Sequence, residues 1–196
     1  MSRPWIAAAL AASLIAFASA YLVVSSHAIR STGSELPDQP VRLTAAAAPR
    51  SWQSAKVPGS PAVLAHPGGW KAIDGDPGTA SAALPAGRRI IGYLNATPRS
   101  GAETPANWLS FRPAHNREEG DGDVTPLAGS RDLRFRTGRG SCLIDGYTTA
   151  TGDRYRELAC IVAGRKATTV VVGSALAQRW SRLAPVLRRA VSSFTT

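Results

Sequence analysis

Apolar residues run from Trp5 to Val24 without a charge, a glycine or a proline, and only Ser13 and Ser19 interrupt them. About 20 such residues in a helix cross the roughly 30 Å hydrocarbon core of a bilayer, so the pattern predicts a transmembrane segment over residues 1–25. Arg3 and the amino terminus place positive charge before it, which keeps that end inside and everything after Ser25 outside the cytoplasm. A second reading stays open. Ala18-Ser19-Ala20 has the small-x-small form of a signal-peptide cleavage site, and cutting near Ala20 would release a secreted protein. A buried helix of a soluble domain is the third reading.

The pattern then changes. Residues 26–60 mix Pro, Ser, Thr and Ala without a period of two or of 3.6, which predicts an extended, poorly ordered stalk. From residue 61 to 196 the chain reads as one folded domain. His66-Pro67-Gly68-Gly69-Trp70 is turn chemistry ending on an aromatic anchor, and Gly75 to Gly78 is a second turn. Arg88 to Thr97 is a strand candidate. Thr104-Pro105 looks like a helix cap followed by proline at the first helical position. The helix it opens carries Trp108, Leu109 and Phe111, and Pro113 is expected to shorten or kink it. Glu118 to Asp123 reads as an acidic loop, and Asp132 to Thr137 as a half-buried strand. Three further strands are expected near 141–149, 154–163 and 167–174. The last segment, Ala177 to Phe194, sets Trp180, Leu183, Leu187, Ala190 and Val191 at helical spacing away from its arginines. The fold class is α+β: an antiparallel sheet with helices packed on it.

The two cysteines sharpen this picture. Cys142 and Cys160 lie on the flanks of Ala150-Thr151-Gly152-Asp153, and both flanks alternate as strands do. Gly152 can take the positive φ that a short hairpin loop needs. Folding about Thr151 pairs positions whose numbers sum to 302, which sets Tyr147 against Tyr155 and Cys142 against Cys160. Directly opposed residues of a non-hydrogen-bonded pair approach closely enough for an S–S bond. An exported compartment is oxidising, so a structural disulfide is predicted.

The formal charge of +10 rests mostly on arginine, since the chain has three lysines. Such a surface attracts anionic headgroups or acidic glycopolymers, or simply solubilises the domain. Export argues against nucleic acid as a partner.

The order of elements resembles the PsbP/Mog-like α/β/α sandwich family, which includes exported actinobacterial lipoproteins of the LpqN type. Asn107–Phe111, Leu133–Phe135, GSCLIDGYTT, RYRELACIV, TTVVVGSA and the closing helix with Trp180 and Ser192-Ser193-Phe194 carry the resemblance. It implies a non-enzymatic binding or assembly module. The absence of a lipid-anchor cysteine near the first segment departs from those lipoproteins.

Candidate chemistry is sparse. Ser141, Ser174, His115 and Asp145 are the residues from which a hydrolase site would be drawn, but no G-x-S-x-G elbow surrounds either serine. Glu118, Glu119, Asp121 and Asp123 lack the full calcium-loop pattern, and Gly138-Arg139-Gly140 reads as a turn rather than a phosphate loop. No cofactor or metal is expected. Trp70, Trp108, Tyr147 and Tyr155 are more aromatic bulk than a small domain buries, so they are the candidate lining of a groove for a lipid, glycan or peptide, or else the core itself. The functional expectation is a membrane-tethered, extracytoplasmic, non-catalytic binding or assembly module of the cell envelope, with an exported hydrolase of envelope polymers as the alternative.

Overall fold

The structure is a computed structural model that describes Pro37 and residues 39–196. The expected transmembrane segment lies outside the described residues, and among those described no helix is long and apolar enough to cross a membrane.

Among the described residues, nine strands and two α-helices follow one another: β1 (Trp52–Lys56), β2 (Val63–Pro67), β3 (Lys71–Ile73), β4 (Ala80–Ala86), β5 (Arg89–Pro98), α1 (Trp108–Glu118), β6 (Gly122–Arg134), β7 (Gly138–Thr148), β8 (Arg154–Gly164), β9 (Thr168–Leu176) and α2 (Trp180–Ser193). Strands β3 to β9 form one antiparallel sheet in the order β3-β4-β5-β9-β8-β7-β6. The hairpin arithmetic holds along all of β7–β8. Tyr147 faces Tyr155, and Cys142 faces Cys160 with their Cα atoms 4.1 Å apart and the sulfurs bonded.

Successive side chains of a strand point to opposite faces, and this sheet is apolar on both. Cys142, Ile144, Leu158, Cys160, Val162 and Val171 share a cluster with Leu183, Leu187, Ala190 and Val191 of α2. Leu143, Ala159, Ile161 and Val172, one residue out of phase, pack under Trp108 and Leu109 of α1. The helices therefore cover opposite faces of the sheet.

Their cover is unequal. The α2 face is also roofed by the β1–β2 ribbon, whose Leu64 joins that cluster together with the neighbouring Val57 and Ala62. Over residues 39–60 the expected stalk is corrected, while residues 26–36 and 38 lie outside the described residues. Residues 39–60 pack onto the domain: Val41 and Val57 are buried, Ala46 N–H donates to Ser192 O at 3.1 Å, and Arg188 donates to Arg42 O. Pro49 and Pro58 flank β1, and a five-residue strand has no room to display a period. On the other face α1 lies across β6, β7 and β8. Beside it, β9 and β5 form the floor and far wall of a cleft.

Three smaller expectations also change. The helix opens at Trp108, after a turn that Thr104 closes by accepting the Asn107 N–H at 3.2 Å, and it continues through Pro113 to Glu118. Glu118 is thus helical, and Gly122 and Asp123 already belong to β6. Gly138 and Gly140 open β7 instead of forming a turn. A Cβ on either would strike the β8 backbone at Ala163 O or Ile161 O, so only glycine lets the strands approach this closely.

Candidate functional site

Four strands present one transverse row on the α1 face. Tyr93 pairs with Ser174, Ser174 with Glu157 and Glu157 with Asp145, across β5, β9, β8 and β7. Asp145 is 0% and Glu157 1% exposed. Two carboxylates directly opposed in a sheet repel each other, and burial raises the cost. Helix α1 supplies the compensation. Arg112 donates from Nε to Glu157 Oε1 at 2.7 Å and from its terminal amine to Oε2 at 3.0 Å, a bidentate fork. Asn116, one helical turn on, donates Nδ2 to Asp145 Oδ2 at 3.3 Å and to Glu157 Oε1 at 3.4 Å.

The single guanidinium leaves one carboxylate too many. Burial first, and the Glu157 charge second, push the Asp145 carboxyl up to about 8, with Arg112 pulling the other way. Two buried atoms of this cluster have no partner, Asp145 Oδ1 and Asn116 Oδ1. A proton on Asp145 is the donor that such an acid–amide pair lacks.

Beside this cluster opens a cleft of about 530 Å³. One wall is the exposed side of α1, where Trp108, Phe111 and His115 stack at centroid separations of 6.2 and 5.6 Å. The floor is Val170, Val172 and Ser174 of β9, and the far wall is Tyr93, Asn95 and Thr97 of β5. Asn95 knits that wall together: its Nδ2 donates to Ser81 Oγ at 2.9 Å and to the Tyr93 hydroxyl at 3.1 Å, and its Oδ1 accepts from Thr97. At the rim His115 Nε2 meets Glu119 at 3.2 Å. That hydrogen bond raises the His115 pKa and lowers that of Glu119. Glu103 accepts the Ser100 N–H at 2.8 Å, and such backbone donors outweigh a burial penalty to hold its carboxyl below the usual range.

The four aromatic residues expected to line one groove are divided by the sheet. Trp108 and Tyr147 line the cleft. Tyr155 stacks on Tyr147 at 6.0 Å and donates its hydroxyl to Ile90 O, on the flank of a smaller hollow. Trp70 belongs to the opposite face, where its ring fills the space a Cβ on Gly92 would take. Trp108 is also core: its indole N–H donates to Ala159 O at 2.9 Å and ties α1 to β8.

Of the residues from which a hydrolase would be drawn, Ser174 and His115 both line the cleft, but no hydrogen bond joins them among the described residues. Ser141 Oγ donates to Pro105 O at 2.6 Å, Asp145 is wholly enclosed, and His115 is engaged with Glu119. No group of three or more His, Cys, Asp or Glu side chains is placed to hold a metal among the described residues, Glu118, Glu119, Asp121 and Asp123 included. Sequence reasoning missed Glu157 and Arg112. The signal was present, because 145 and 157 also sum to 302, which sets two acids face to face at inward positions and demands a cation nearby.

No family model matches the chain, and no curated protein matches it in sequence. Solved structures do. Cyanobacterial PsbP (CyanoP) from Synechocystis sp. PCC 6803 is 15% identical over 74% of this chain and 92% of its own, with a TM-score of 0.53. LpqN of Mycobacterium tuberculosis, described as involved in cell envelope biogenesis, is 16% identical over 74% and 90%, at 0.43. The Pseudomonas aeruginosa protein of unknown function PA94 is 12% identical over 74% and 96%, at 0.49. The domain has a PsbP-like α+β fold: an antiparallel sheet with helices packed on it.

Proposed function

We propose that this chain is a membrane-tethered binding module of the cell envelope, with residues 1–25 as anchor and the domain on the extracytoplasmic side, holding a ligand or partner without transforming it. The observation that carries the reading is the chemistry of the cleft. Apart from Asp76, exposed on its turn, its ionisable side chains are committed to protein partners, Arg112 to Glu157, His115 to Glu119 and Glu103 to backbone N–H groups, while aromatic faces and neutral hydroxyls stay available. A catalytic cleft needs a nucleophile or base free to meet substrate. A recognition cleft needs a concave, partly apolar surface with a few fixed polar groups, and a volume of this size suits one. The uncharged stretch from Trp5 to Val24 and the disulfide support export. The order of elements supports an actinobacterial relative of the LpqN type.

The test is made on the full chain in its own membrane. A C-terminal reporter should respond only to impermeant reagents added outside the cell, and native mass spectrometry of the extracted protein should reveal a bound species that Phe111→Ala loses. A reporter reached only from the cell interior removes the envelope reading. Ester or peptidoglycan hydrolysis that His115→Ala abolishes removes the non-catalytic one.

A further inference from the structure

We infer that the cleft between α1 and strands β5 and β9 takes a neutral, polyhydroxylated ring, a pyranose unit of a glycan, and that Ser174, Tyr93 and Tyr147 are its hydrogen-bonding residues. The inference rests on the binding-module reading and names the class of ligand.

Bookkeeping of the lining groups leads there. The chain as a whole is strongly basic, yet the acids of the cleft, Asp76, Glu103, Glu119 and Glu157, outnumber Arg112 and His115. A phosphate or carboxylate ligand therefore meets repulsion here, whatever the outer surface attracts. A cation fares little better inside, because Glu157, Glu119 and Glu103 already carry a guanidinium, an imidazole and backbone N–H groups, and the one uncommitted acid, Asp76, is exposed on its turn. Taking any of the three committed acids for a ligand would strand its present partner, at a cost comparable to the gain. An acyl chain would cover the Ser174 hydroxyl on the cleft floor without offering it a partner.

What the cleft floor leaves unpaired is neutral. Ser174 is 4% exposed and lines the cleft floor, and its hydroxyl has no hydrogen-bond partner among the described residues. The Tyr147 hydroxyl is in the same position at the edge of the carboxylate cluster. Burial raises its pKa, so it remains a protonated donor. Tyr93 completes the row, its hydroxyl held in place by Asn95 and Ser81. Hydroxyls donate and accept, as the rim of a sugar does. The opposite wall offers ring faces from Phe111 and His115, one turn apart on α1, against which the C–H face of a pyranose can lie. A ring with one apolar face and a hydroxylated edge satisfies both walls at once.

The experiment uses the full chain in nanodiscs, titrated by calorimetry with neutral oligosaccharides (maltotriose and chitotriose as first probes, then a neutral glycan panel). Glucose 6-phosphate and phosphatidylglycerol vesicles serve as anionic controls. At least one neutral glycan should bind, with affinity falling about tenfold or more in Ser174→Ala and in Tyr93→Phe while the melting temperature of both variants holds. Phosphorylation of the sugar should weaken binding. Binding of the anionic probes alone, no binding across the neutral panel, or glycan binding that ignores both variants would overturn the inference. The broader reading fails separately: a non-saccharide species that copurifies and is lost in Phe111→Ala sinks the glycan and keeps the module, whereas no copurifying species and no bound probe sinks both.

Discussion

Asp145 and Glu157 stand opposite each other on β7 and β8, both sealed from solvent, and the bidentate arginine beside them bonds only Glu157. Asp145 is left to hold a proton. Its folded pKa of about 8 lies above the ordinary 3.8, so the native state keeps a proton that the unfolded chain releases. Stability is then greatest below about pH 4 on this account and falls as pH rises towards 8, at up to about 1.4 kcal/mol per unit inside that window. Asp145→Asn keeps the shape and removes the titration. Urea denaturation should find the variant close to wild type at pH 5 and more stable at pH 8.5. Parallel profiles for the two proteins would contradict a protonated Asp145.

Removing the cation should do the reverse. Arg112→Met leaves Glu157 buried with only an amide for company, and breaking one half of a buried pair costs about 3–5 kcal/mol. Arg112→Lys should recover only part of the loss, because a point charge cannot reproduce the fork. Urea midpoints of the three proteins at pH 7 check this.

The disulfide closes a short hairpin, and both sulfurs sit in the α2-side cluster. Replacing both cysteines with alanine should cost about 2–4 kcal/mol. Because Cys142 and Cys160 are buried, reductant with alkylator should label them only after denaturant is added, which intact mass will follow.

The packing of residues 39–60 makes a truncation test. A fragment starting at residue 39 should unfold cooperatively. One starting at residue 61 lacks Val41, Trp52 and Val57, exposes the α2-side cluster, and should melt at least about 10 °C lower or fail to fold. Circular dichroism melts separate the outcomes.

The predicted fold was most legible where local signals agreed. Alternation, Gly152 and two cysteines gave the β7–β8 register residue by residue, and the sequence pattern placed β9 and α2 within a few positions. It was least legible where elements are short. β1 and β2 have five residues each, and β2 is buried by docking against α2, a contact no local period encodes. The site was hidden for a different reason. Pro113 was expected to curtail α1, which put Arg112 and Asn116 outside a regular helix. In fact the proline sits in the second turn, where losing one N–H does not stop propagation. Trp70 misled because side-chain size indicates burial and not which face of the sheet receives it.

The crosslink and the carboxylates occupy one hairpin but point to opposite sides of it. A one-residue slip would exchange those sides and drive both acids into the apolar cluster. The covalent bond therefore locks the β7–β8 pair that carries Asp145 and Glu157, and α1 is tied to the sheet by the Trp108 indole, the Arg112 fork, the Asn116 amide, the Arg117 guanidinium and packing. The register that staples the sulfurs is thus the same one that keeps both acids beneath the α1 cation.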